Sequence, residues 1–337
     1  MRTATRTGLT ADVVDYMIAT ACRAPSVHNT QPWRFRFHDG AIELRADPSR
    51  ALRIADPQAR ELVISCGAAL CNLELAVRRL GLEPRTRLLP DDGDPELLAT
   101  VRGLPGGRPT RAEQRLLGAI SNRHTHRAAF ADRRPSTALL DELRVAARVD
   151  GAFLTVVPDG AGAERVLDLA WAADRTQRQD IAWRAEMVKW ANKPDQHSRD
   201  GVPPDAYPTD PAAYGGGRLP TRDFSLRRGW GRGNKPGAGG AVLTVLTTEA
   251  DGPRAWLRAG KALQHVLLLA AGKSVFANYA TQPLELPDVR DALRAAIHTP
   301  GYPQMLFQLG HAGPSALTSR RPVSEVLQRE AAISLDR

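Results

Sequence analysis

The sequence predicts an α/β or α+β protein assembled from two similar halves, on three observations. Its 337 residues exceed the usual size of one domain, so two cores, or one large core shared by two like units, is the starting expectation. Apolar helical patterns alternate with short strand-like runs, which places helices against sheets. The third observation is an internal echo. Gly67-Ala68-Ala69-Leu70 followed by Leu73 returns as Gly260-Lys261-Ala262-Leu263 followed by Val266. Each copy sits in a long apolar helical stretch with a small residue where close helix packing needs one.

Taken in order, residues 11–24 carry Val13, Val14, Met17, Ile18 and Ala21 at helical spacing, and Pro25 ends the pattern. The period then changes to two. Trp33, Phe35 and Phe37 alternate with Arg34 and Arg36, His38-Asp39-Gly40 makes a turn, and Ala41-Ile42-Glu43-Leu44 returns, which reads as a hairpin. Residues 61–80 are apolar on most faces, the mark of a helix buried in a core. Later, strand candidates at residues 152–157, 241–247 and 305–309 alternate with helices near residues 162–190 and 255–272. Residues 192–240 differ in kind, being rich in Gly and Pro with Tyr207, Tyr214, Phe224 and Trp230 among them. Such a segment is a functional lid or a disordered insertion, and its aromatics favour a packed lid. The expected division is an N-terminal half over residues 1–120 and a C-terminal half over residues 121–337 that carries this insertion.

Composition narrows the function classes. Hydrophobic residues make up 42% of the chain and charged residues 25%, as in a folded globular protein. The longest apolar stretch, around residues 266–271, is far shorter than the roughly 20 residues of a membrane-spanning helix. The N-terminus lacks the apolar block of a secretory signal, so a cytoplasmic protein is expected. Cys22, Cys66 and Cys71 match neither a disulfide framework nor a zinc site and read as small buried residues. The net charge of +9 is dispersed and almost all arginine, with Lys only at positions 189, 193, 235, 261 and 273. A nucleic-acid binder would gather its basic residues on one face, so the partner expected is a small molecule, and some arginines suit phosphate oxygens.

The densest polar motif is Ala24-Pro25-Ser26-Val27-His28-Asn29-Thr30-Gln31-Pro32-Trp33. Its prolines fix the backbone while Ser, Asn and Gln offer donors and acceptors able to read a heteroaromatic edge and a polyol. On residue types alone it reads rather as a capping loop in which Ser26 and Asn29 bond nearby backbone. The segment closely resembles the P-S-x-x-N-x-Q-P-W signature of FMN-dependent nitroreductases, in particular their Acg-like actinobacterial branch. Arg123-His124-Thr125-His126-Arg127 resembles that family's R-R-[ST]-x-R phosphate motif, with His124 for the second Arg. Gly301-Tyr302-Pro303-Gln304, Leu309-Gly310-His311-Ala312 and Ser319-Arg320-Arg321-Pro322 resemble its closing pattern. Ala277-Asn278-Tyr279-Ala280-Thr281-Gln282-Pro283 is similar to the segment facing the flavin ring, with Tyr279 where related sequences commonly have proline.

The resemblance implies a nitroreductase-like fold in which two degenerate units are fused as a pseudo-dimer. One complete FMN site per chain results, because the first half has the P-S-x-x-N loop and the second half the phosphate arginines. Further oligomerisation is left open. Cofactor contacts are implied for Pro25, Ser26, Asn29 and Gln31 from the loop, and for Arg123, Thr125, Arg127, Arg320 and Arg321 at the phosphate. Backbone N–H groups near Ala280, Thr281 and Gln282 are implied at the ring. No protein residue is assigned as catalytic, since the flavin carries the chemistry. His28, His124 and His126 lack the carboxylate or Cys spacing of a metal motif, so no metal is expected. Two functions follow from the resemblance. One is an oxidoreductase in which FMN, recharged by NADH or NADPH, passes hydride to a nitroaromatic, quinone or similar acceptor. The other is a non-catalytic FMN-sequestering protein closed by its lid.

Overall fold

The computed structural model describes residues 9–192, 198–207, 219–224, 239–313 and 318–329. Helix α1 (Ala11–Ala21) buries Val14, Met17, Ile18 and Ala21, a stripe of helical period. It stops before the expected bound because Cys22, Arg23 and Ala24 already donate in a closing turn to the carbonyls of Ile18, Thr20 and Ala21. Strands β1 (Trp33–His38) and β2 (Ala41–Ala46) pair antiparallel with Phe35 opposite Leu44. Between them Asp39 and Gly40 both have positive φ, 47° and 70°, which a two-residue hairpin of the natural twist requires. Helix α2 (Arg60–Arg79) is buried along nearly its whole length. Strands β3 (Leu82–Leu88) and β4 (Leu97–Pro105), which the sequence reading passed over, extend the same sheet.

Helices α3 (Arg111–Ala119) and α4 (Thr137–Val149) follow, and the Ser136 side chain caps α4 by accepting from the Leu139 N–H. After β5 (Phe153–Val157), the single helix expected over residues 162–190 is two, α5 (Ala161–Gln179) and α6 (Ile181–Trp190). Asp180 divides them by leaving helical backbone at φ −75°, ψ 118°, and its carboxylate accepts from the Ala182 and Trp183 N–H groups. The rest of the chain forms β6 (Val242–Thr248), α7 (Pro253–Ala271), β7 (Val275–Tyr279), α8 (Gln282–Glu285), α9 (Pro287–Ala296), β8 (Tyr302–His311), α10 (Val323–Val326) and β9 (Leu327–Arg329).

Two sheets result, one ordered β3-β4-β2-β1-β9 and the other β5-β6-β8-β7. The protein is therefore α+β, with helices α2 and α7 between the sheets contributing to one apolar core that also takes Phe35 and Leu44 from the first sheet and Leu246 and Phe307 from the second. Strand β9 lies parallel to β1, with Leu327 opposite Phe35, so the chain's last described strand completes the sheet begun by its first.

Helices α2 and α7 meet at the two echoed glycines. A Cβ on Gly67 would sit 2.3 Å from the Leu257 carbonyl oxygen, and one on Gly260 would sit 2.0 Å from that of Ile64. Ile64 and Leu257 each lie three residues before their own glycine, so the contact is reciprocal. The backbones touch there, and no side chain fits between them. Beside this crossing, Gln264 donates to the Asn72 side-chain oxygen at 2.8 Å, fully buried.

Candidate functional site

The loop after α1 is held in an uncommon conformation. His28, Asn29 and Gln31 have φ of 47°, 56° and 49°, in the left-handed region that costs side-chain-bearing residues energy unless their surroundings impose it. Here they do. The Ser26 hydroxyl oxygen accepts from the Gln31 N–H at 2.9 Å, and Ser65 on α2 accepts from the Val27 N–H at 3.2 Å. The Asn29 amide donates to the carbonyls of Gly201 and Ser319, while its oxygen accepts from Arg320 at 3.0 Å. Gln31 is fully buried and bridges the Arg199 carbonyl and the Arg321 N–H. Ser26 thus makes the local bond of a capping loop, while Asn29 and Gln31 tie the loop to the insertion and to the C-terminal crossing segment.

Two cavities open against this loop and share Pro25, Ser26, Thr125 and Arg127 in their walls. The smaller is a basic pocket, termed the anion pocket for its lining cations. Arg123, Arg127 and Arg320 line it together with Asn29, His124 and Thr318, and no carboxylate among the described residues does. Arg320 is fixed by donating to the Cys22 and Ala24 carbonyls at 2.9 and 3.1 Å. Arg123 has Nε and one terminal nitrogen buried without a hydrogen-bond partner. The segment bearing Arg123 and Arg127 is pinned to the edge of β7 by a Thr125–Ala277 bridge and by the His126 N–H donating to Ala277 at 2.8 Å. Burial, and then mutual repulsion among the guanidinium groups, lowers Arg320 to about 9. Burial lowers Arg127 to about 10, against an upward pull from Tyr279 and with a smaller further lowering by Arg123. Cations crowded together out of water with donors unspent are stabilised by an anion that accepts from all of them.

The larger cavity is a chamber of about 100 Å³ that opens to solvent. Val27, Ile64, Leu263 and Met305 make it apolar, and His28, Glu61, Thr281 and Gln282 give it a polar side. Thr221, Arg222 and Phe224, from the described part of the insertion, also line it. Arg222 is buried and donates to Glu285 at 2.6 Å and to the His28 ring at 3.0 Å, its guanidinium lying 5.3 Å from the centre of the Trp183 ring. Burial, then the charge of Arg222, keeps His28 well below its ordinary value, so the ring is neutral and accepts from Arg222 through Nε2. Burial and the neighbouring Glu285 hold Glu61 well above the usual carboxylate range.

The structure brings together Pro25, Ser26, Asn29, Arg123, Thr125, Arg127 and Arg320 around the anion pocket, and Thr281 and Gln282 at the chamber. Three residues singled out from the sequence lie in neither wall. Gln31 is spent on the two bonds described. Ala280 is fully buried, and its N–H donates to the Leu306 carbonyl at 3.0 Å, extending the β7–β8 pairing. Arg321 turns away to Glu325. Tyr207 and Phe224 pack together with Val202 and Ala206, whereas Tyr214 and Trp230 lie outside the described residues. Arg222, His28, Glu61 and Glu285 were not identified as a group, because their partners are far apart in sequence and no local pattern marks them. Among the described residues, no group of three or more His, Cys, Asp or Glu side chains is placed to hold a metal, and no helix is long and apolar enough to cross a membrane.

No family model matches the chain. Among known proteins it is 34% identical over 328 residues to "Putative NAD(P)H nitroreductase Rv3131" of Mycobacterium tuberculosis, covering 94% of this chain and 92% of that one. To "Putative NAD(P)H nitroreductase acg" of the same organism it is 30% identical over 336 residues, covering 96% and 98%. A solved nitroreductase with bound FMN from Desulfitobacterium hafniense superposes with a TM-score of 0.40 at 14% identity, covering 64% of this chain and 97% of that one. The FMN and NADPH-dependent nitroreductase NfnB from a Sphigopyxis strain gives 0.40 at 19% identity, covering 63% and 97%. The chain belongs to the nitroreductase family, and Rv3131 and Acg are relatives of it along nearly their full length.

Proposed function

We propose that this protein is an FMN-dependent NAD(P)H oxidoreductase that holds one FMN per chain and passes hydride to a nitroaromatic, quinone or similar small acceptor. The observation that carries the reading is the trio Arg123, Arg127 and Arg320 around a pocket that no carboxylate among the described residues lines, sharing a wall with a largely apolar chamber. A phosphate monoester joined to a flat heteroaromatic ring has those two ends. Arg123 offers its unspent donors to the phosphate, Arg127 reaches it from the shared wall, and Thr125 adds a hydroxyl. Arg320 contributes charge while holding the loop that carries Ser26 and Asn29. When bound, the flavin supplies hydride acceptance from NADH or NADPH and hydride donation to the acceptor. The names of the mycobacterial relatives and the FMN-bound neighbours support both cofactor and donor. The reciprocal contact of Gly67 and Gly260 supports a pseudo-dimer within one polypeptide.

A second reading has its own observation. Thr221, Arg222 and Phe224 line the chamber, and Arg222 is fastened inside it by Glu285 and His28. Hydride transfer needs reacting atoms roughly 3–3.5 Å apart, so a segment fastened over the ring makes an FMN-sequestering protein rather than a reductase. One experiment separates the two. The purified chain is expected to show a flavin spectrum at one FMN per chain and to bleach on anaerobic addition of NADH or NADPH. Firmly bound FMN that neither nicotinamide reduces would select sequestration. Absence of flavin binding would end both readings.

A further inference from the structure

We propose that the Tyr279 hydroxyl is a hydrogen-bond ligand of the flavin's polyol chain, placed in the chamber within electrostatic reach of Arg123 and Arg127. This inference rests on the flavin reading above and deepens it. Tyr279 is the last residue of β7, paired on its backbone with Phe307 of β8. Its side chain lines the chamber, and its hydroxyl oxygen is buried with no hydrogen-bond partner among the described residues. Burial pushes its pKa up to about 12, against the downward pull of Arg123 and Arg127, so at neutral pH it is a protonated donor. Buried hydroxyls are nearly always paired, because an unpaired one costs stability. Nothing in the fold needs this oxygen: the ring packs against Phe307 with centroids 6.0 Å apart, and phenylalanine would pack there equally well.

Position selects which part of the ligand this donor meets. Arg123, which lines only the anion pocket, and Arg127, which lines both cavities, lie within electrostatic reach of the hydroxyl. Tyr279 itself lines the chamber and not the anion pocket. A molecule with its phosphate at the arginines and its ring among Ile64, Leu263 and Met305 must pass its linking chain along the shared wall. In a flavin mononucleotide that chain is a row of hydroxyls, each able to accept from a phenol.

The test uses the full-length, flavin-stripped chain and three ligands, titrated by flavin fluorescence: lumiflavin, which has only the ring, riboflavin, which adds the polyol, and FMN, which adds the phosphate. Tyr279→Phe is expected to weaken riboflavin and FMN by a similar factor, about tenfold for one lost hydrogen bond. Lumiflavin binding stays unchanged, and the melting temperature of the flavin-free protein does not fall. A purely structural role for the hydroxyl would instead lower that melting temperature. Unchanged affinity for riboflavin and FMN in the variant would overturn the proposal while leaving the flavin reading intact. An equal loss for lumiflavin would also overturn it, by moving the contact to the ring. If the unaltered chain binds none of the three, the flavin reading itself fails.

Discussion

Arg123→Gln isolates the anion pocket from the rest of the site. Arg123 is 6% exposed, and among the described residues one of its nitrogens finds a partner, through a long 3.4 Å bond to the Arg23 carbonyl. Its Nε and other terminal nitrogen are unspent, so up to two charge-assisted bonds to a phosphate are lost on substitution. Each is worth roughly 1.5–3 kcal/mol. Relief of repulsion with Arg127 and Arg320 offsets part of that loss, leaving about 2–3 kcal/mol, or roughly 30- to 150-fold in FMN affinity. Riboflavin, which lacks the phosphate, is expected to bind the variant as it binds the parent. The flavin-free variant should be no less stable, since a buried cation without a counter-charge has been removed. Arg320→Gln is the contrasting case: its bonds to Cys22, Ala24 and Asn29 hold the loop, so affinity for both flavins should drop together with the melting temperature. Parallel fluorescence titrations with FMN and riboflavin decide the matter. An undiminished FMN preference in Arg123→Gln refutes the phosphate role of that residue, and equal affinities in the parent refute the pocket as a phosphate site.

Three further outcomes follow from the same structure. Arg222→Met leaves Glu285 buried without its cation and should destabilise the chain by about 3–5 kcal/mol in urea unfolding; adding Glu285→Gln should recover most of that, and a single variant as stable as the parent would show that the pair does not hold the insertion. Gly260→Ala must push α7 away from the Ile64 carbonyl and should cost about 1–3 kcal/mol or more, whereas Gly118→Ala in α3, with nothing within 4 Å of its added Cβ, should gain up to about 1 kcal/mol; similar effects at both sites would argue against a tight α2–α7 crossing. Bonds from Arg290, Trp256 and Gln304 outweigh burial and hold Asp251 at about 2, so its stabilisation is fully present above its unfolded value near 4 and is lost as pH falls through that value toward 2. The acid limb of a stability–pH curve should accordingly flatten in Asp251→Asn, and an unaltered limb would exclude Asp251 as its source.

The parts of the fold readable in the sequence are those set by local chemistry. The β1–β2 hairpin follows from strict alternation and an Asp-Gly turn, and α2 and α7 follow from long apolar periods. Strands β3 and β4 escaped notice because Glu83, Arg85 and Arg87 break the apolar pattern of an edge strand that buries only one face. At the site, the loop and the arginines were legible as motifs, but a motif does not say where each side chain ends. Gln31 and Ala280 stand between site residues in sequence yet spend their polar groups on the scaffold, as the left-handed loop and the β7–β8 ladder dictate. Arg222 was hidden for the opposite reason. It lies in a segment without periodicity, and its partners His28 and Glu285 are 194 and 63 residues away.

If the chain holds one FMN, as proposed above, the pairing of Gly67 with Gly260 offers a reason for a single site. With Gly67 matched to Gly260, Ala68, which lines the chamber, corresponds to Lys261, and Ser65, which accepts from the Val27 N–H of the loop after α1, corresponds to Arg258. A small side chain on α2 leaves room; its long counterpart on α7 fills it. Lys261 is paired at 2.9 Å with Glu74 and at 3.2 Å with Asp150, and the Arg258 stem packs beside Gly151. The two acidic neighbours outweigh burial and raise Lys261, so the charge there is fixed and satisfied, the reverse of the unspent arginines at the anion pocket. Removing Lys261 would leave Glu74 and Asp150 without their shared cation rather than open a cavity, since both carboxylates were placed to meet it. On the proposed reading of two fused units, the α7 face carries an ion-pair cluster where the α2 face keeps small residues beside cations with donors to spare.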